Sequence, residues 1–478
     1  MNQSDCLKVL LATRANDAER WLSKQKEEKR RSHPDSIGFF IIFLSRAGMT
    51  FGLRIPYGHQ NSKSHLNCVN ACIIMQRMTS LDHFRALAAG MSQRDGANEQ
   101  KTSVADYVAD QLTAMGFAPQ QQHFLGAELA YGPFILYAAV GLLSVILLGQ
   151  SQPVGAAAAI LLMATALPSL FLELQYRPNL LRWLLPIERS TNVIVHTPPA
   201  EDTTDSHKKI IVTAHIDGHR TPVILGVKVL SIMPLLIVAS ELAGAVLIVL
   251  AIIGVPISAA IVRQMALAPG LVFLALLVVS VLADRAPYDN SYGGDNAGGV
   301  AAVLGVIERL KDAPLKRAEA VFVFTGAEEA GAYGAQAFFE SQTAWRAEAV
   351  HVVLCAVGAK GSVPAVIRTE RFTHAVVSDA GLLAIADGIA TTHTDLGMTL
   401  LVEVVGRNEL SPNIVARAIG VTSVAGTPKS EAGSQLVGNG VVDGTGAGEN
   451  VDADGLALQR HEAFLWELLH GIDAVGVK

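Results

Sequence analysis

The chain has 478 residues, of which 50% are hydrophobic and 17% charged, with a formal net charge of -6. That length holds one large domain plus additions, and the mild acidity gives nucleic acid no electrostatic reason to bind. So apolar a composition exceeds that of an ordinary soluble enzyme and calls for membrane spans, while four cysteines are too few for a disulfide framework at this size.

Residues 1–77 differ in character from the rest of the chain. Residues 15–31 make a charged helical run, 37–44 a short apolar burst ended by Ser45 and Arg46, and 58–64 a polar stretch. The burst is too short to cross a bilayer and lacks the small-residue cleavage site of a secretory signal. Cys68, Cys72 and His65 have too few further ligands nearby to define a metal site. From 80 to 115 the pattern is helical, with Val104, Tyr107, Val108 and Leu112 on one face before Gly116, and 120–124 reads as an edge strand in which His123 is structural.

Two charge-poor hairpins then interrupt the domain. Residues 133–149 and 153–171 carry no charge and are joined by a tight polar turn; a second pair runs from 235 to 262 and from 265 to 282, split at Arg263 and Gln264. Each run is about long enough for a span, tilted or slightly short. The alternative is a set of buried core helices in a large soluble protein. Glu241, in the third run, is expected to face a partner helix, water or the interface, because a carboxyl in lipid is costly. A hairpin returns the chain to the side it left, so everything outside the spans from 78 onward shares one side. That side holds Arg177, Arg182, Arg189, Lys208, Lys209, Arg220, Lys228 and Arg285, whereas the opposite turns hold only Arg263. The positive-inside rule puts the larger domain in the cytoplasm, at an inner or plasma membrane.

A strand over 189–196 leads through a polar turn into 209–214, whose carboxyl end delivers His215 and Asp217. The densest chemistry lies in 288–335. A Gly-rich loop there runs into a helix with Val300, Val303, Leu304, Ile307 and Leu310 on its apolar face, which sets Asp295 and Asn296 at the helix N-terminus. A buried strand over 321–324 comes next, and the chain breaks at Gly326 to present Glu328 and Glu329 side by side. Ligands of open α/β sheets bind outside the carboxyl ends of the strands. An imidazole with several carboxylates at such an edge makes oxygen-rich ligation suited to zinc or a similar divalent ion. Taken singly, His215 is an ordinary strand-end histidine, Asp295 a helix cap and the Glu pair a solvated turn. Beyond them, 332–339 reads as a helix, 350–354 as a strand, 373–389 as a helix, 400–403 as extended, and 427–448 as a Gly- and Ser-rich rim. Residues 456–472 form a terminal helix carrying His461 and His470 on its surface.

In this order the motifs resemble those of metallopeptidase family 28, the co-catalytic di-zinc aminopeptidases and glutamate carboxypeptidases, over about 82–128, 186–222 and 285–474. The resemblance implies an α/β fold with a mixed, mostly parallel central sheet flanked by helices, here interrupted by two transmembrane hairpins. It also implies one or two zinc ions and a peptide or small amide substrate. Carried over, His215 binds one metal and Asp217 orients that site, Asp295 bridges both ions, Glu328 is the general base and Glu329 a ligand. Two departures stand out. Cys355 occupies the position of an acidic ligand, where it is either a thiolate ligand or a small buried hydrophobe. Val442 occupies the position of a histidine, with Asp443 next to the gap. Because the resemblance starts near Asp82, translation from Met78 is expected, leaving 1–77 as a disordered or mis-annotated extension.

The expected division is therefore a peptidase-like domain in three pieces, 78–128, 176–222 and 285–478, with hairpins over 129–175 and 223–284. The function implied is a membrane-anchored zinc metallopeptidase with a lipid bilayer as partner. The alternative is a catalytically impaired pseudopeptidase acting as a membrane-tethered binding or scaffold module. A transporter has little support, since four spans with one acidic group offer no ion or substrate route.

Overall fold

The computed structural model describes residues 40–46, 49–55, 74–75, 78–92, 97–150, 152–201, 208–217, 232–253, 259–285, 296–355, 357–358, 361–371, 375–405, 417–425, 436–438 and 455–475. The chain divides into two compact units, Met1–Arg77 and Met78–Lys478. In the first, β1 (Phe40–Arg46) pairs antiparallel with β2 (Met49–Ile55), which pairs with β3 (Ile74–Met75). The apolar burst of the sequence thus enters a strand. The charged run over 15–31 and the group of His65, Cys68 and Cys72 lie outside the described residues.

The second unit is built on a mixed sheet. Its strands are β4 (Gln120–Ala127), β5 (Ile187–Thr197), β6 (Lys209–His215), β7 (Glu319–Thr325), β8 (Val350–Leu354), β9 (Ser362–Arg371), β10 (Ala375–Val377), β11 (Thr399–Val405), β12 (Ala418–Ala425) and β13 (Leu436–Gly438). Across the sheet they lie in the order β13-β11-β9-β12-β8-β6-β7-β5-β4, with β10 attached to β9. The middle run β12-β8-β6-β7 is parallel, and antiparallel neighbours flank it: β9 beside β12, and β5 with the edge strand β4 beyond β7. Four of these strands do not emerge from the sequence reading. β9 and β12 lack a clean period-two pattern, and β13 lies in the stretch read as a Gly- and Ser-rich rim. Ala375–Val377 pairs with β9, so the helix expected from 373 begins only at Ala380.

Helices cover both faces of the sheet. On one face lie α1 (Ser80–Ser92), α2 (Ala97–Ala114), α7 (Ala297–Asp312), α9 (Ala380–Thr392) and α10 (Gly455–Val475). The other face carries α8 (Tyr333–Ser341) and Trp345. Along β7, Ala320, Phe322 and Phe324 face the first layer, and Val321 and Val323 the second. A strand buried on both faces needs apolar residues at every position, which is why 320–324 is an unbroken apolar run.

Four helices carry the apolar runs: α3 (Gly132–Gly149), α4 (Pro153–Leu174), α5 (Met233–Ile253) and α6 (Ala259–Arg285). Each is long and apolar enough to cross a membrane. They share a separate core, in which the Tyr137 ring meets Phe273 edge-on at 5.5 Å and its hydroxyl donates to Ser240 O at 3.1 Å. Gly141 lets the Phe273 ring in, because a Cβ there would lie 2.4 Å from it. The outward positions are just as apolar and uncovered: Ile146 is 61% exposed, Leu161 67%, Leu242 66% and Leu271 66%. Their outward faces thus form a large exposed apolar surface. Glu241 is half-buried.

The second hairpin turns earlier than the sequence reading places it. Its first helix ends at Ile253 and the next starts at Ala259, so the break comes before Arg263 and Gln264. Arg263 instead sits within α6 and its Nε donates to Gly149 O at 2.5 Å. At the other end, Asp284 accepts from the Tyr131 amide at 3.2 Å. Both hairpins therefore leave and return at one end of the bundle.

The amino-terminal edge of the sheet carries an ion cluster remote from the carboxyl ends. Glu319 bonds His196 Nδ1 at 2.7 Å and also Lys209, whose ammonium lies 4.6 Å above the Trp345 ring. The hydrogen bond from His196, and then that from Lys209, hold the Glu319 carboxyl down at about 2 against the opposing effect of burial. A carboxyl depressed in the folded state stabilises it above its ordinary pKa, and that stability is lost as pH falls from about 4.5 toward 2. Glu319→Gln is therefore expected to lower the melting temperature at pH 7, with the gap to the parent shrinking steadily below pH 4; an equal gap at pH 7 and pH 3 would contradict this.

Candidate active site

Three neighbouring parallel strands end side by side. His215 at the end of β6 is level with Thr325 of β7, and Ala214 is level with Leu354 of β8. The segments leaving this edge are Ile216 and Asp217 after β6, Gly326 to Ala332 after β7, and Cys355 onward after β8. The start of α7 is bound to the same edge. Asn296 is 2% exposed and its Nδ2 donates to His215 O at 3.1 Å and to Leu354 O at 3.3 Å. Gly298 makes that approach feasible, since a Cβ there would lie 1.7 Å from Val357 O.

The turn after β7 is tightly wound. Ala327 has φ 53° and Ala332 φ 56°, left-handed values that cost an alanine about 1 kcal/mol each. The turn is closed by Ala332 N to Glu328 O at 2.7 Å and Tyr333 N to Ala327 O at 3.1 Å. Strain held at such a turn belongs with the two adjacent carboxylates it presents, Glu328 and Glu329.

Asp217 joins the two strand ends. Its Oδ2 accepts the Glu329 amide at 3.1 Å, and its backbone carbonyl accepts from His215 Nδ1 at 2.6 Å. His215 is thus fixed by the Asp217 carbonyl, with the carboxylate Oδ1 standing 3.6 Å from Nδ1. With Nδ1 protonated, the lone pair is on Nε2, the tautomer that binds metals. Among the described residues, the buried Asp217 Oδ1 has no hydrogen-bond partner. A buried carboxylate oxygen without a donor is costly unless a cation serves it. By this chemistry His215 is held in the form whose Nε2 suits a divalent metal.

Sequence reasoning is met unevenly. His215 bonds the Asp217 carbonyl, and the Asp217 carboxylate reaches Glu329 at its backbone amide, next to Glu328 in the chain. Asp295 and Asp443 lie outside the described residues, as does Val442. Among the described residues, no three His, Cys, Asp or Glu side chains gather closely enough to hold a metal by themselves. Cys355 leaves the right strand end, but its Sγ approaches Val421 O at 3.7 Å and it packs with Val353 and Ile367. His461, expected on the surface, is 1% exposed. Its Nδ1 donates to Ala457 O at 2.7 Å and its Nε2 bonds Ser423 Oγ at 3.0 Å, which in turn accepts the Gly358 amide at 3.0 Å. Burial holds His461 down at about 4, so a neutral ring braces the loop after β8 from the terminal helix. Asn296 shows in the sequence only as a possible cap; its bonds to two strand ends depend on tertiary contact.

His215, Asp217 and the Glu328–Glu329 pair thus lie at the carboxyl edge of the parallel strands, where ligands of open α/β sheets bind. Residues 287–394 match the family model Peptidase family M28, the family that the motifs resemble. No curated protein matches the chain. Among solved structures, the chain is similar to a leucine aminopeptidase precursor from Bacteroides thetaiotaomicron, with 11% identity over 82% of this chain and 96% of that one and a TM-score of 0.43. It is also similar to a zinc aminopeptidase from Bacillus subtilis, with 12% identity over 82% and 95% and a TM-score of 0.42. A glutaminyl cyclase from an Acidobacteriales bacterium gives 12% identity over 88% and 100% and a TM-score of 0.43.

Proposed function

We propose that the chain is a membrane-anchored, zinc-dependent hydrolase of peptide or related amide bonds. The observation that carries this reading is the hydrogen bond from the Glu329 amide to Asp217, which ties the carboxylate pair to the strand end that holds His215. His215, Asp295 and Glu329 would hold the zinc, which supplies Lewis acidity toward a carbonyl and toward water. Glu328 takes the proton of the attacking water and delivers it to the leaving amine. Asp217 holds the His215 tautomer through its carbonyl and the Glu pair through its carboxylate. Asn296 keeps the start of α7 against the sheet edge.

Cys355 acts in this reading as a small apolar filler, supported by its contact with Val421 and its packing with Val353 and Ile367. The four apolar helices anchor the body in a lipid bilayer, and Arg263, the one charged residue near the distal end of the hairpins in the sequence, supports a cytoplasmic body. The same Cys355 environment favours a second reading, a catalytically impaired scaffold, because it leaves one metal position short of a ligand. A panel of aminoacyl and acyl amides tested on the purified full chain decides between them. Hydrolysis that disappears with a chelator and returns with added zinc is expected; no turnover by zinc-replete protein would decide for the scaffold.

A further inference from the structure

We propose that Arg182 is a positioning residue that holds the turn bearing Glu328 and Glu329 in register with the end of the second apolar helix. Arg182 is 5% exposed and Glu173, in the last turn of α4, is fully buried. The guanidinium Nε bonds Glu173 Oε2 at 2.5 Å and Nη2 bonds Oε1 at 3.2 Å. Its other bonds reach across the fold. Nη2 donates to Gly331 O at 3.0 Å and Nη1 to Gln336 Oε1 at 2.9 Å, while the guanidinium lies 4.4 Å over the Tyr333 ring. Gln336 Nε2 adds a second bond to Gly331 O at 3.1 Å, and Asn179 braces the ion pair by donating to Glu173 Oε2 at 2.9 Å.

Gly331 belongs to the turn in question, since its amide donates to Glu328 O at 3.0 Å. The turn is thus held from the front by Asp217 and from behind by Arg182. A planar fork is needed to serve Glu173, Gly331 and Gln336 at once, and an ammonium cannot do so. The consequence is that α4 is part of the catalytic scaffold as well as an anchor. This inference rests on the hydrolytic reading for its kinetic effect, although the tether itself does not.

The test uses full-length protein in lipid nanodiscs and compares Arg182→Lys with Glu319→Gln, a substitution at the opposite edge of the sheet. Amide exchange over 327–333 should rise about tenfold or more in Arg182→Lys and stay unchanged in Glu319→Gln. The kcat should fall about tenfold to a hundredfold with KM within about twofold, as expected for a displaced reacting group. Should the lysine chain not fold, Gln336→Met keeps the ion pair and removes one donor to Gly331, with a smaller rise in exchange expected. Unchanged exchange over 327–333 overturns the proposal whether or not the protein hydrolyses anything. A kcat loss matched by Glu319→Gln would overturn it too.

Discussion

Glu328→Gln is expected to slow hydrolysis of the best substrate by about 10³-fold while leaving zinc content unchanged. The substitution keeps the size and hydrogen-bonding reach of the side chain but removes its capacity to accept a proton. Glu328 meets the sheet edge through a turn whose closure uses backbone atoms, Gly331 N and Ala332 N to its own carbonyl, so the glutamine does not disturb the fold of the turn. Glu329 keeps its amide bond to Asp217 in the variant. A rate within tenfold of the parent would remove Glu328 as general base and move the search to another carboxylate. Parallel loss of zinc and rate would make it a ligand instead.

Much of the strand-end chemistry is legible in the sequence because it is local. The run 209–215 is β-branched and ends on His215 and Asp217, and the run 320–325 is apolar up to Thr325 and ends on a glycine before two glutamates. Such segments announce both the strand and the side chains that its end delivers. β9 escapes notice because it carries Pro364, Arg368 and Glu370, and β12 because Gly420 and Ser423 break its pattern, although both strands lie well inside the sheet. Their strand character comes from neighbours rather than from their own sequences. The same limit explains Asn296, Arg182 and His461. Each depends on at least one partner between 38 and 154 residues away, which no spacing rule in the sequence pairs with it.

Departures in the ligand set have physical readings as well. An acidic ligand after β8 would face a divalent ion, whereas Cys355 turns toward Val421 and joins an apolar group. In the proposed reading that change falls on the metal position that His215 serves and leaves His215 and Asp295 to hold it, while Val442 falls on the position that Glu329 serves. One zinc, resting on His215, is then the proposed state of the protein.

The second large effect is on that zinc itself. His215 is 3% exposed and its Nδ1 bonds the Asp217 carbonyl, so in the proposed site Nε2 would be the nitrogen that meets a metal. Removing it takes away the nitrogen donor of the set and leaves carboxylates, which hold zinc far less selectively. His215→Ala is expected to lower zinc affinity by at least about 100-fold, and His215→Asn, closer in shape, to do the same if ligation rather than packing is what matters. Folding of both chains is followed by their melting transitions. The measurement that bears most directly on the whole account is zinc bound per chain in purified full-length protein and in these two variants. At least one tightly held zinc in the parent and almost none in either folded variant is the predicted result; parent protein that takes up no zinc, or variants that hold it as firmly as the parent, would contradict the account.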